Sequence, residues 1–276
     1  MSMSNETVLI EELSWTEVAE KLENGYDTAL LACGAIEQHG PHLPTGVDTY
    51  LGYAVGKYVA RELGNALVAP TLRPGCSDHH TDFPGTFSIS RETFVNLLSD
   101  YCESLDQMGF DNIVLFPSHG GNIDVMKTYT PKIARDLEQA EVYFVSLDFV
   151  GIHEYLENEE GISREKAGVH AGYSETAQML AEHPELVDME LAEEGMTRPE
   201  FYDEDRIPQS QQESFTHGVR QQVANGILGD ARGATADVGR EIIERRGDAM
   251  AEQIRSRIDS EFLSMDVPDS VAHEHD

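Results

Sequence analysis

Residues 28–48 read Thr28-Ala29-Leu30-Leu31-Ala32-Cys33-Gly34-Ala35-Ile36-Glu37-Gln38-His39-Gly40-Pro41-His42-Leu43-Pro44-Thr45-Gly46-Val47-Asp48. Thr28–Cys33 is a short unbroken apolar run, which predicts a strand buried on both faces. A Gly/Pro-rich loop follows, then a helix over about 49–63. Upstream, Ser14 is placed to cap a helix over 15–23 that Asn24-Gly25 closes. Downstream, Ala66–Pro70 forms a second strand, and Ser90 caps a helix whose Phe94, Leu97, Leu98, Tyr101, Leu105 and Met108 keep helical spacing until Gly109. Asn112–Phe116 is a third buried strand, a helix runs over about 123–138, and Glu141–Leu147 is a fourth strand. The order β-α-β-α-β-α-β predicts an α/β fold: a three-layer α/β/α sandwich with a mostly parallel sheet. Residues 149–232 are less regular and a helix over about 235–263 closes a single domain spanning 1–264, with 265–276 as a disordered acidic tail.

Composition narrows the function. The chain has 276 residues with 51 Asp+Glu against 19 Lys+Arg, a formal charge of −32. No basic stripe exists to displace counterions from phosphates, which excludes nucleic acid, and the same sign excludes anionic membrane surfaces. Hydrophobic residues make up 40%, enough for a core, so the charge belongs to a folded surface. Five lysines stand beside fourteen arginines. Few lysines and many carboxylates keep a protein hydrated in concentrated salt, and the composition predicts a halophile's cytoplasm. The N-terminus is acidic and carries no apolar signal core, which predicts no secretion, and no apolar run is long enough to span a membrane. Cys33, Cys76 and Cys102 share no metal-type spacing, so any metal is held by nitrogen and oxygen.

Those donors cluster in three loops. The loop after the first strand holds Glu37, His39, His42 and Asp48. Glu-x-His in extended backbone puts a carboxylate and an imidazole on one side of the chain. Asp48 can bridge two divalent ions about 3.5–4 Å apart. Ser118-His119-Gly120-Gly121-Asn122 follows the third strand; its glycines allow close backbone approach to a ligand, and a glycine turn with a helix cap at Asn122 is the alternative. Gly168–Thr176 brings His170 and then Glu175, which on its own would be a first-turn helix feature. Loops at the carboxyl ends of parallel strands are where ligands bind. Together Glu37, His39, Asp48, His119 and Glu175 suit two divalent ions of the Zn, Mn or Fe type. His80 and Phe83, after the second strand, face the substrate, although a core or surface role stands open for His42, His79 and His80. His153-Glu154-Tyr155-Leu156-Glu157 lacks the second histidine of a zincin and is expected as solvated helix.

Gly34–Asp48, Phe83-Pro84-Gly85-Thr86, His119-Gly120-Gly121-Asn122 and His170-Ala171-Gly172 with Glu175 resemble, in order and spacing, the creatininase (creatinine amidohydrolase) family. The resemblance covers about residues 25–245 and implies a metal-dependent amidohydrolase acting on a non-peptide C–N bond of a small cyclic amide or formamide through a metal-bridging hydroxide, in a hexamer. It implies metal ligation by Glu37, His39, Asp48 and His119 and proton transfer by His170; backbone N–H groups around Gly120 and Gly121, beside the substrate, are placed to stabilise an oxyanion. Creatininase carries a glutamate two residues beyond the position of His119; this chain has Gly121 there, and the role of fifth ligand falls to Glu175. Trp15 is the one tryptophan, so the tryptophan closure over creatinine has no counterpart. A peptidase that trims a cofactor-precursor peptide of the mycofactocin type, and a non-catalytic metal- or ligand-binding relative, are the alternatives. Deformylation of a nucleotide would need a phosphate pocket, for which Arg73, Arg232 and Arg240 are scattered candidates.

Overall fold

The computed structural model describes residues 7–202 and 207–258. The tail expected over 265–276 and the residues 259–263 expected to continue the closing helix lie outside them. Strand β1 (Thr28–Cys33) is followed by α2 (Val47–Leu63), after α1 (Trp15–Glu23). β2 (Ala66–Val68), α3 (Arg91–Met108), β3 (Asn112–Pro117), α4 (Ile123–Asp136) and β4 (Glu141–Phe144) complete the first half. The strands pair in the order β2-β1-β3-β4, all parallel. β1 is fully buried, as its unbroken apolar run predicts. Right-handed crossovers put α2 on one face of the sheet and α3 and α4 on the other. α3 packs beside α4 on its face, while α2 packs against α7 (Tyr173–Glu182) and α11 (Ala236–Ile258).

Between them run α5 (Phe149–Asn158), α6 (Arg164–Ala167), α8 (Pro199–Tyr202), α9 (Ile207–His217) and α10 (Val219–Gln222). The helix holding His153 is therefore present but not merely solvated: Tyr155 and Leu156 are buried against Tyr173, Ala177 and Ile242 in a second apolar cluster. Helix ends follow their sequence signals. Ser14 forms a capping box with Glu17, Ser90 accepts from the Thr93 N–H, and Gly109 closes α3 at φ 98° in the left-handed region. α2 begins two residues earlier than its apolar pattern suggests, so Asp48 sits in its first turn, where the helix dipole favours a carboxylate.

From β1 the chain crosses to β2 on one side, and from β3 to β4 on the other. That reversal opens a crevice at the carboxyl ends of β1 and β3, the place where open α/β sheets bind ligands. Asn122 does not cap α4 with its side chain. It cross-links the crevice instead, donating to the carbonyls of Cys33 and Gly34 at 3.1 and 3.0 Å and accepting from the Cys76 N–H at 3.0 Å.

At the opposite end, Asp106 accepts the backbone N–H groups of Glu138, Gln139 and Ala140 at 3.2, 3.1 and 2.6 Å, tying α3 to the turn before β4. Asp106→Ala leaves those donors without their acceptor and should cost about 2 kcal/mol, read as a lowered urea midpoint with an unchanged slope.

Candidate metal centre

Four of the five expected ligands are almost wholly buried: Glu37 is 1% exposed, His39 0%, Asp48 2% and His119 5%. Glu37 and His39 come from the loop after β1, Asp48 from the first turn of α2, His119 from the end of β3, and Glu175 from the first turn of α7. Asp48 lies at the middle of the group. Its Oδ1 is 3.4 Å from His39 Nε2, and its Oδ2 is 3.3 Å from His119 Nδ1. On the outer sides, Glu37 Oε1 is 3.3 Å from His119 Nδ1 and Glu175 Oε2 is 3.7 Å from His39 Nε2. Two donor sets thus share one carboxylate: Glu37, Asp48 and His119 on one side, and His39, Asp48 and Glu175 on the other.

Both imidazoles are oriented by their far nitrogens. His39 Nδ1 donates to the Glu37 carbonyl at 3.1 Å, and His119 Nε2 donates to the Cys76 carbonyl at 3.0 Å. The remaining ring nitrogens face the carboxylates and are the ones left for metal ligation. Glu37 Oε2, His39 Nε2 and Asp48 Oδ2 are buried with no hydrogen-bond partner among the described residues. A bound cation would satisfy unpartnered buried ligand atoms of this kind. Burial pulls His39 down, yet Asp48 first, then Glu175 and Glu37, lift it to about 9. His119 is raised well above the usual range for the same reason, with Glu37 its strongest partner against burial. Burial opposes ionisation of Asp48, but His39 and His119 hold its carboxyl below the ordinary carboxylate range. The donor set, three carboxylates and two imidazoles, fits divalent Zn, Mn or Fe.

Around this centre the histidines are neutral. His170 Nε2 donates to the Gln38 carbonyl at 2.8 Å, which leaves Nδ1 facing Glu37 Oε1 at 3.5 Å. Burial, then His39, pushes His170 well below its ordinary value. His80 is buried against the centre: the Gln38 amide donates to its Nδ1 at 2.9 Å, so that Nε2–H faces Glu37 Oε1 at 3.5 Å. His79 stacks at 4.3 Å from both His80 and Phe215, and burial lowers it to about 4. His42 is a core residue 2.9 Å from Thr176 Oγ1. Ala171 takes the left-handed region at φ 52°, a conformation that costs a non-glycine residue roughly 1 kcal/mol or more. It aims its N–H at Glu175 Oε2, at 2.5 Å.

Two cavities meet at Glu37, His119, Gly120 and His170, one of about 250 Å³ and one of about 300 Å³. Gly120 has open space where a side chain would stand, but a Cβ at Gly121 would collide with the Cys76 carbonyl and the His119 ring. The local packing thus has no room for a glutamate at that position. Phe83 lines neither cavity; its ring lies 5.3 Å beneath the Arg220 guanidinium. The Phe83–Thr86 segment instead pins the ligand loop, because Thr86 Oγ1 accepts from the Gln38 N–H at 3.1 Å and Phe87 N–H donates to Ile36 at 2.8 Å. Arg232 pairs with Asp230 and Glu194, and Arg240 with Asp237, all outside both cavities. Gln38 and Arg246 were not foreseen. Gln38 could have been found from its place between two ligands, whereas Arg246 lies in an ordinary Arg-Arg pair with no local signal.

A parallel α/β/α sandwich whose sheet reversal gathers three carboxylates and two imidazoles defines a class, the α/β proteins with a candidate two-ion centre. Residues 11–254 match the family model described as "Creatininase: Creatinine amidohydrolase", and the chain belongs to this family. It is 28% identical over 247 residues to the mycofactocin precursor peptide peptidase of Mycobacterium ulcerans, covering 87% of this chain and 89% of the relative. Against the creatinine amidohydrolase of Pseudomonas putida it is 27% identical over 265 residues, covering 91% and 97%. A solved manganese creatininase superposes with a TM-score of 0.75 at 26% identity, over 92% of this chain and 100% of that one.

Glu37→Ala or His119→Ala should remove bound metal and hydrolysis together, with secondary structure retained. Elemental analysis after dialysis checks this, using protein trimmed of the His273/His275 tail so that adventitious ions are not counted.

Proposed function

We propose that this protein is a metal-dependent hydrolase that cleaves the C–N bond of a compact amide or formamide. One observation carries it: the two oxygens of Asp48 each face a different buried histidine. Glu37, Asp48 and His119 would hold one divalent ion, and His39, Asp48 and Glu175 the other. Such a pair supplies Lewis acidity toward the carbonyl and a water acidified to a pKa near about 7.

The chain's own side chains supply the rest. His170 is neutral and its Nδ1 faces the centre, so it can take a proton there and deliver it to the leaving nitrogen. Its Nε2 lies 2.8 Å from the Gln38 carbonyl and 2.9 Å from the Gln38 side-chain amide, contacts that hold the ring in place. His80 steadies Glu37 through Nε2–H, and Gln38 steadies His80. Gly120 leaves room for the substrate to lie against backbone. Creatinine is disfavoured as substrate, since Trp15, the single tryptophan, is 82% exposed on α1 and outside both cavities. A short precursor peptide is the second reading. It is favoured by the two cavities that meet at His119 and His170, which leave room on both sides of a scissile bond.

The acidic composition and the family resemblance support a cytoplasmic homo-oligomer, a hexamer, adapted to high salt. Among the described residues no helix is long and apolar enough to cross a membrane.

His170→Asn should keep its metal while kcat falls by roughly 10²–10⁴-fold. Assays of the metal-loaded protein on formamides, cyclic ureas and peptides with a cleavable C-terminal dipeptide test the substrate class; turnover of the peptides alone would replace the first reading with the second. Raising KCl from about 0.1 to 3 M shortens the Debye length to a few ångströms and should raise the thermal midpoint by screening carboxylate repulsion. An unchanged or lowered midpoint would count against salt adaptation.

A further inference from the structure

With the scissile bond at the junction of Glu37, His119 and His170, the substituents of the substrate lie in the cavities that meet there. The 300 Å³ cavity is lined by charges of both signs, Asp48 and Glu175 together with Arg164 and Arg246. The 250 Å³ cavity differs in kind. Of the charged side chains that line it among the described residues, Glu37 is an expected ligand, while Arg91 and Asp124 are exposed. Arg91 pairs with Asp78 at 3.0 Å, and solvent screens both. Most of the remaining wall is imidazole or apolar, with Phe201, Phe215 and Val219 contributed by α8, α9 and α10.

Phe215 is 43% exposed, in a chain whose surface is dominated by 51 carboxylates. Its ring centroid lies 4.3 Å from that of His79. The His79 ring in turn lies 4.3 Å from His80 and stacks on His119 at 5.8 Å, with 17° between the planes. A row of rings therefore leads from the exposed Phe215 to an expected metal ligand. Polar contacts that do not involve the Phe215 ring anchor the segment that carries it. Helix α9 packs on the turn Asp78–His80, Ser214 Oγ donates to Gln222 Oε1 at 2.8 Å, and Arg220 Nη1 donates to the Asp82 carbonyl at 2.7 Å. Exposed apolar surface continuous with a polar centre is the pattern of a ligand-binding wall.

We propose that the 250 Å³ cavity is an apolar subsite with Phe215 as its specificity-determining wall, and that the substrate is an amide or formamide whose substituent is an uncharged ring, packed against Phe215 while the C–N bond lies against Glu37, His119 and His170. The proposal rests on the hydrolase reading and adds the chemical class of its substrate. Ring pairs with centroids about 4.5–7 Å apart stabilise one another beyond the area they bury. An apolar cavity of about 150 Å³ already admits benzene. The larger volume here holds a ring together with the amide that bears it.

Isothermal titration of the metal-loaded full chain with acetohydroxamate and phenylacetohydroxamate tests it. The two share one metal-chelating group and differ only in a phenyl ring. The phenyl compound should bind about tenfold more tightly. That advantage should shrink below about threefold in Phe215→Ala and in Phe215→Gln, with metal content unchanged. Either variant gives the answer alone if the other disturbs folding. Val150→Ser, at an exposed position lining the other cavity, should leave the advantage intact. Equal binding of the two probes, or binding of neither, overturns the subsite. So does an advantage that survives in every folded Phe215 variant, or one that Val150→Ser abolishes, since the ring would then lie elsewhere. An advantage that responds to Phe215 alone, without turnover of any amide in the substrate panel, leaves the subsite standing and removes the hydrolase reading.

Discussion

The carboxylate of Asp48, shared between His39 and His119, is the constraint around which the rest of the site is built. Three carboxylates brought together out of water repel one another at short range, and burial raises the cost. The fold accepts that cost only because the same space gathers two imidazoles and leaves donor atoms without partners. Helix α2 places Asp48 by starting early. Gly121 lets the backbone pass His119 without a collision, and Asn122 clamps the ends of β1 and β3 together so that the two donor sets stay in register.

Protonation divides along the same line. His39 and His119, which face carboxylates directly, are driven toward positive charge. His79, His80 and His170 lie one step further out and are held neutral by burial and by the neighbouring imidazoles. Imidazoles a few ångströms apart are thereby held in opposite states, two driven toward charge and the others kept neutral. The buried Arg246 extends the pattern outward, placing positive charge beside the outermost carboxylate, Glu175.

Much of this was legible in the sequence because it was local. Glu37, His39, Asp48, His119, His170 and Glu175 all lie in glycine-bounded loops or first helical turns, and each comes together where those loops converge. Ser14, Ser90 and Gly109 mark helix ends through their own side chain or backbone freedom. Phe83 lines neither cavity, and in the Phe-Pro-Gly-Thr turn beside the site it is Thr86 that ties to the neighbouring loop. His153 misled: an acidic stretch looked solvated, although Tyr155 and Leu156 carry it into a second core. The surplus of carboxylates gave no help in choosing among them.

The sequence by itself determined the parallel α/β architecture, the family and the kinds of side chain gathered in the loops, because apolar runs, caps and closely spaced polar residues act over a few residues of chain. Only the tertiary structure decided that Asp48 faces both histidines, that Gln38 and Asn122 hold the loops, and that Arg246 reaches the cavity beside Glu175. Those relations join residues tens to more than a hundred positions apart, and the packing of α2, α7 and α11 fixes the distances that no local spacing encodes.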